Sequence, residues 1–517
     1  MLTLKTAILG RSALWACSTS VKDKLVAIRQ WLDHCSSRHS DRCFPKAKHT
    51  PHRLVEVGAT GNLPRLVLSK QISFHNQRYT TLSHCWGPSL PIRTLLSNVQ
   101  AYSHSIPLEI IPRTFEDAIL ITRALDIQFI WIDALCIIQD SAEDWDREAA
   151  KMKDIYAGGV LNIAASDSSG SGGGCFPVNN SMVETFRLAQ PEKGPELLVR
   201  LQPGDTRQYT KQTVLSSRGW VLQEQLLSHR IVSCMSDELH WECSENYETE
   251  AGVRFSSSTP KVRDALRMYQ CPNSLQHDGL WRSWMANYSN REFTFWKDRL
   301  PALAGIVEKY QNITEDVPIL GLWKRSISED LLWIRDGSIS AKPNVEIESA
   351  RLPSWSWLSC PSSIAFDIWQ LTRRVNRLDR NVSTQDHCQL ISFSVNWTGV
   401  PFISTVKSAY IILHGPTIEV TIDFEETSRQ TNPSKFNLRY GNKHIPCTGQ
   451  FDRGIVAPGP YYCLSLRSRV HKQTNAMRDI FMILGTVCES VYERVGIACV
   501  YEPVLFAEAT QKTLLVR

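Results

Sequence analysis

An α/β domain, with a central parallel sheet flanked by helices, is what the middle of this sequence predicts. Three observations carry the prediction. Tyr79 to His84, Phe129 to Ile138 and Val160 to Ala165 are apolar runs rich in β-branched or aromatic residues. Amphipathic helical stretches separate them, and the order helix, strand, helix, strand implies right-handed crossovers and hence parallel pairing. At roughly 150 residues per domain, the 517 residues suggest about three units that could merge into two. The expected division is a helical lead-in over 1–70, the α/β domain over 71–245, a helical Trp-rich region over 246–360 and a mostly β region over 361–517. The last two make a Trp-rich mixed α+β C-terminal region.

Each element has a local reason. Leu25, Ile28, Trp31 and Leu32 recur at helical spacing and predict a helix in the lead-in. Tyr79 to His84 reads as a short strand that stops at Cys85-Trp86-Gly87-Pro88, where glycine and proline open a loop. Pro112 opens a helix, Thr114 and Asp117 have capping-box spacing, and Phe115, Ala118, Ile119, Thr122 and Leu125 mark its buried face. Phe129 to Ile138 holds one acid, Asp133, and reads as a buried parallel strand. Ser141 and Asp144 repeat the cap spacing, and Glu143, Asp144 and Asp146 suit the positive end of a helix dipole. The apolar stripe Trp145, Ala149, Met152 and Tyr156 runs to Gly158-Gly159, and Val160 to Ala165 supplies another buried strand. In the last region, Ala409 to Leu413 and Ile480 to Thr486 read as strands.

Composition excludes several classes. With 43% hydrophobic and 21% charged residues the chain is neither disordered nor a fibrous rod, and no internal period of a solenoid or propeller repeats. The longest largely apolar stretch, Ile480 to Cys488, is far short of the ~20 residues that span a bilayer, so no membrane span is read. Net charge is only +5, although residues 1–78 hold thirteen Lys/Arg against four Asp/Glu. Without an accompanying RNA or zinc-finger motif, that basic start reads as a solvated surface, and no nucleic acid is expected. The acid-free stretch from Met1 to Lys22 has no long apolar core or clear cleavage site and reads as a helical or frayed terminus. Fifteen scattered cysteines with no C-x-x-C spacing point to a reducing compartment, hence the cytoplasm.

Functional residues on such a sheet belong at the carboxyl ends of its strands. Asp133 lies inside an apolar run, where a carboxylate is costly unless it is paired or used; an ordinary role bonding a neighbouring loop is an even alternative. Trp145 and Glu148 are three apart, so ring and carboxylate share a helix face, an arrangement fit to hold a flat cationic ring beside its sugar. The bland alternative is a surface acid beside Arg147 and Lys151. Cys35, His39 and Cys43, with His49 and His52 beyond, are the nearest approach to a metal pattern. Their four-residue spacing puts the first three on one helix face, and a buried structural cluster is favoured over zinc, so no metal is read. Gly170-Ser-Gly-Gly-Gly-Cys175 lacks a Walker A or G-x-G-x-x-G pattern and reads as a flexible loop. His84-Cys85, adjacent on a strand, point to opposite faces and make a poor base and nucleophile.

Several motifs occur in one order: Tyr79-Thr-Thr-Leu-Ser-His-Cys-Trp-Gly87, Ile111-Pro-Arg-Thr-Phe-Glu-Asp-Ala-Ile119, Trp131-Ile-Asp-Ala-Leu-Cys-Ile-Ile-Gln-Asp140, Asp144-Trp-Asp-Arg-Glu148, Met152-Lys-Asp-Ile-Tyr156, Arg218-Gly-Trp-Val-Leu-Gln-Glu224 and Leu239-His-Trp-Glu-Cys243. Together they closely resemble the fungal heterokaryon incompatibility (HET) domain. The tail resembles the region that commonly follows it, through Asp298-Arg-Leu-Pro-Ala-Leu-Ala-Gly305, Gly321-Leu-Trp323, Leu331-Leu-Trp333, Pro353-Ser-Trp-Ser-Trp357 and Tyr492-Glu-Arg-Val-Gly496. The resemblance implies a role in fungal non-self recognition and regulated cell death, a cytoplasmic setting, and distant kinship to Toll/interleukin-1 receptor (TIR) domains, with a TIR/flavodoxin-like sheet. Some TIR domains cleave NAD with a glutamate in a W-x-x-E-like setting, which Trp145-Asp-Arg-Glu148 is similar to. That implies Glu148 as catalytic residue, Trp86 and Trp145 as ring contacts and Asp133 as organiser. NAD enters as substrate, no cofactor is expected, and activation by self-assembly into a homo-oligomer, with an upstream sensor protein as a partner, follows. The rival readings are a non-catalytic module that signals by homotypic contacts and a degenerate member with no active role.

Overall fold

The computed structural model describes residues 20–39, 43, 50–59, 61–72, 78–88, 92–176, 185–188, 197–200, 213–250, 252, 254–255, 275–336, 352–366, 382–423, 434–453, 457–471, 477–500 and 505–517. The chain divides into two units, Met1–Met268 and Tyr269–Arg517. Among the described residues no helix is long and apolar enough to cross a membrane.

In the first unit, helix α1 (Val21–Arg38) buries Ile28, Leu32 and Cys35, the three-to-four spacing that predicts it. Strands β1 (Arg53–Glu56) and β2 (Arg65–Leu68) then form an antiparallel pair, so the lead-in contributes strands as well as a helix. β3 (Tyr79–Ser83) is buried throughout and is followed by α2 (Val99–His104) and α3 (Arg113–Ala124). β4 (Phe129–Trp131) leads into one helical turn, α4 (Asp133–Cys136). Helices α5 (Ala142–Ala149) and α6 (Met152–Gly158) precede β5 (Leu161–Ala165). After a hairpin of β6 (Thr185–Leu188) and β7 (Leu197–Arg200) come α7 (Gly219–Leu227), β8 (Arg230–Cys234), β9 (Leu239–Cys243), β10 (Tyr247–Thr249) and β11 (Arg254–Phe255).

Nine of these strands make one sheet in the order β11-β10-β9-β8-β5-β3-β4-β1-β2. Its centre is parallel: β3 pairs with β4 and with β5, and β5 with β8. Its two margins are antiparallel, through β1 on β4 and β9 on β8. The fold is therefore α/β as predicted, but the sheet is mixed. Among the parallel strands β3 comes first, with β4 on one side of it and β5 on the other, so the carboxyl edge between β3 and β5 is the topological switch point.

Three local expectations change. The run Phe129 to Ile138 is not one strand: it ends at Trp131, and Asp133 opens α4 while accepting a hydrogen bond from the Ala134 amide (2.7 Å). An apolar run alone does not separate a buried strand from a buried helical turn. The stretch from Ser141 to Gly158 is two helices, interrupted at Ala150 and Lys151, with Ser141 capping the first by accepting from the Asp144 amide (3.2 Å). Thr114 and Asp117 do not form a capping box, because Pro112 is the N-cap of α3. Thr114 Oγ1 instead accepts from the Gly174 amide (3.0 Å), and Asp117 Oδ2 from the amides of Cys175 (2.7 Å) and Phe176 (3.3 Å). The glycine-rich loop is thus tied to α3.

The second unit buries Trp281, Trp284, Trp323, Trp333, Trp355 and Trp357. The indoles of Trp281 and Trp357 both donate to the Gly321 carbonyl (3.1 and 3.0 Å). The Gly321 backbone lies at φ +89, and a Cβ there would strike the Trp357 ring. Between Val382 and Val516 the chain forms a nine-stranded, almost wholly antiparallel sheet that contains both strand runs expected in that region.

Candidate functional site

At the carboxyl edge of the parallel strands, the loop after β3 meets the start of α4. The Trp86 indole donates to Asp133 Oδ2 (2.9 Å), and His84 Nδ1 lies 3.7 Å from Asp133 Oδ1. His84 is buried, sits edge-on to Phe115 (4.9 Å between ring centres), and neither ring nitrogen has a hydrogen-bond partner among the described residues. Desolvation pushes its pKa down to about 4 despite the pull of Asp133, and Arg218 pushes in the same direction as burial, so the imidazole is neutral at pH 7. Arg218 also donates to the His84 carbonyl.

Beneath this edge Glu224 of α7 is buried. Desolvation raises it to about 7, against the charge of Arg218 and hydrogen bonding to Ser83 and Tyr156. A neutral histidine and a carboxyl poised near neutrality at one strand edge are the kind of environment-tuned pair that proton chemistry uses. Sequence reasoning quoted both residues within motifs and assigned neither a role. The missing signal was burial, which makes these two polar groups costly and which no local pattern reports.

The same edge is closed at the switch point. Gly87 has φ +78, and a Cβ on it would lie 3.1 Å from the Gly170 Cα, so the two loop backbones touch. Ser171 donates to the Trp86 carbonyl (3.2 Å). The amides of Gly174, Cys175 and Phe176 are already satisfied by α3 and are not offered to a phosphate.

Glu148 stands in a second arrangement. Its side chain is fully buried on α5; Oε1 lies 3.4 Å from Arg147 Nε and 4.0 Å from His52 Nδ1, while Oε2 has no hydrogen-bond partner among the described residues. Asp144, one turn earlier, is held by Arg53, Arg147 and the Ile138 amide (2.8 Å). Arg53 Nε donates to the Cys136 carbonyl (2.8 Å). His52 is pushed down to about 4 by burial and then by the charges of Arg53, Arg147, Lys151 and Lys70. Two guanidinium groups, Arg147 and Arg53, therefore act on the buried carboxylate.

Of the residues singled out from sequence, Trp86 and Asp133 are brought into direct contact. Trp145 is half-buried and meets Trp220 edge-on (6.2 Å). Among the described residues no hydrogen bond or ion pair links Glu148 to Trp86, Trp145 or Asp133.

Residues 79–224 match the family described as Heterokaryon incompatibility protein (HET). The chain carries a HET domain. A HET domain implies a role in heterokaryon incompatibility. No curated protein and no solved structure matches the chain. The HET match begins at Tyr79, the first residue of β3, and ends at Glu224 in α7, so it encloses His84, Trp86, Asp133, Trp145, Glu148, Arg218 and Glu224. α1, the β1–β2 pair and the strands after α7 lie outside it.

A third cluster lies outside the HET match. Cys35, His39, Cys43 and Cys243 place their Sγ and Nδ1 atoms within 4.8 Å of one another. The first three do not share one helix face, because α1 ends at Arg38, with His39 as its C-cap and Cys43 beyond. Cys243 at the end of β9 completes the group, and sequence distance hid it. His49 lies outside the described residues.

Proposed function

We propose that this chain acts in heterokaryon incompatibility, in fungal non-self recognition and regulated cell death, as a cytoplasmic NAD glycohydrolase that is switched on by self-assembly. The observation that carries this reading is Glu148: a buried carboxylate with Oε2 unpartnered among the described residues and with Arg53 and Arg147 close by. Leaving a buried oxygen unpaired costs about 1–3 kcal/mol, and such groups call for an explanation in function. Two arginines suit the pyrophosphate of a dinucleotide, with the carboxylate beside the ribose.

The reaction asks little of the protein. The C1′–N bond breaks with its electron pair going to the pyridinium nitrogen, so nicotinamide leaves neutral without a general acid. Water oxygen bonds to C1′ and a proton is released to solvent. One carboxylate stabilises the oxocarbenium-like transition state, whereas O-glycoside cleavage recruits two. Self-association, under an upstream sensor protein, opens Glu148 to substrate, with Trp86 and Trp145 as ring contacts and Asp133 holding Trp86.

The complete burial of Glu148 favours a second reading, a non-catalytic module that signals through homotypic contacts. Purified chain and a Glu148→Gln variant, each incubated with NAD under forced dimerisation, separate the two by released nicotinamide. Release by the parent and none by the variant supports the enzyme. No release by either, or cell killing that survives Glu148→Gln, overturns it in favour of the scaffold.

A further inference from the structure

The cysteine and histidine cluster of the first unit has the geometry of a closed metal centre. Nδ1 of His39 lies 3.6 Å from Cys43 Sγ and 3.4 Å from Cys243 Sγ, and all four donor atoms fall within 4.8 Å of each other. A tetrahedral zinc ion with bonds of about 2.3 Å to sulfur and about 2.0–2.1 Å to nitrogen sets ligand-to-ligand edges of about 3.5–3.8 Å. The observed nitrogen-to-sulfur separations bracket the shorter edge. We infer that Cys35, His39, Cys43 and Cys243 bind a structural zinc ion that fastens the end of α1 to β9.

The surroundings fit thiolates rather than thiols. Arg230 Nε points at Cys35 Sγ (3.1 Å), and the Asn246 amide donates to Cys243 Sγ (3.3 Å). Three thiolates, one neutral imidazole and Zn²⁺ leave a charge of −1, and the buried guanidinium of Arg230 lies against it. Three sulfurs and one imidazole form a soft, four-donor set, which selects zinc over magnesium or calcium and leaves no open position for catalysis. Among the described residues, two acid-and-histidine groups, His52-Asp144-Glu148 and Asp237-Glu238-His240, lack sulfur, and the first already faces Arg53 and Arg147. The Trp31 and Trp241 rings, 6.1 Å apart, join the same helix and strand. The centre thus pins the lead-in to the antiparallel margin, outside the family match.

Metal analysis of the full chain, expressed in zinc-supplemented medium and purified without added metal, tests this. The expected result is one zinc per chain, released when thiols are modified with a mercurial. Expression in cobalt-supplemented medium should give the intense ligand-field bands of tetrahedral cobalt and a thiolate-to-cobalt charge-transfer band. Cys243→Ser should lower the zinc content to near zero, whereas Cys463→Ser, in the second unit, should retain it. If the Cys243 variant does not fold, the parent chain's stoichiometry and cobalt spectrum still decide. Substoichiometric zinc with no tetrahedral cobalt spectrum, or a disulfide mapped between two of the three cysteines in place of metal, overturns the inference.

Discussion

Asp133 and Glu148 belong to the same HET domain and are separated by a short stretch of helix, yet they are buried on opposite terms. Asp133 keeps a fifth of its side chain in solvent and gives its two oxygens to neutral donors, the Trp86 indole and the Ala134 amide. Glu148 has no exposure, leans one oxygen toward cations and leaves the other without a hydrogen bond among the described residues. A satisfied carboxylate of the first kind holds two loops together. One of the second kind is destabilising unless something uses it, so the contrast separates a positioning acid from a candidate reacting one.

The contrast breaks most visibly at Arg53. Arg53→Ala removes the buried cation shared by Asp144 and Glu148 and should lower unfolding free energy by about 3–5 kcal/mol, read from urea titration of the full chain, because it strands buried charge. A loss below 1 kcal/mol would mean that the network is solvated and Glu148 is not a costly group.

The next largest effect concerns pH at the carboxyl edge. His84 is lowered to about 4 from its usual 6.5, so the unfolded chain binds its proton first, and this contribution to stability is full above 6.5 and lost as pH falls toward 4. Glu224 is raised to about 7 from 4.5, so its contribution is full below 4.5 and lost as pH rises through 7. Between about 4.5 and 6.5 the two slopes oppose and nearly cancel. Glu224→Gln should unmask the histidine slope, worth about 3 kcal/mol across that interval, and His84→Phe should unmask the opposite one. Identical pH dependence of unfolding in parent and both variants would refute the pairing.

Trp86→Phe should cost about 1 kcal/mol in the same urea titration, since Asp133 can recover a water in place of the lost indole donor. A cost above 3 kcal/mol would put Asp133 on the same footing as Glu148. Smallest of all, Glu148→Gln should change stability by less than about 1 kcal/mol, because the amide sheds the buried charge together with its pull on Arg147, while abolishing nicotinamide release. A large loss of stability instead would make Glu148 a structural anchor like Asp133.

Much of this architecture was readable from residue order. α1, α3, β3 and β5 follow from helical spacing or compact β-branched runs, and the parallel centre follows from their alternation. The antiparallel margins were not read: β1 pairs with β4 through a long-range choice that local pattern does not encode, and the β8–β9 hairpin, although local, drew no strand reading. Phe129 to Ile138 was overextended because an apolar run of that length suits a strand or a buried turn equally. For the site, the contact of Trp86 with Asp133 was not anticipated, because Asp133 was read inside a strand that in fact ends at Trp131, the tuned pair His84 and Glu224 depends on burial, and Cys243 reaches its three partners only through the folded sheet.

The touching backbones of Gly87 and Gly170 carry one more consequence. In doubly wound proteins the gap beside the first strand is the customary doorway for a nucleotide, and here two glycines wall it up from within. A bulkier residue at either glycine would push the two loops apart and loosen the masonry between the first and third parallel strands.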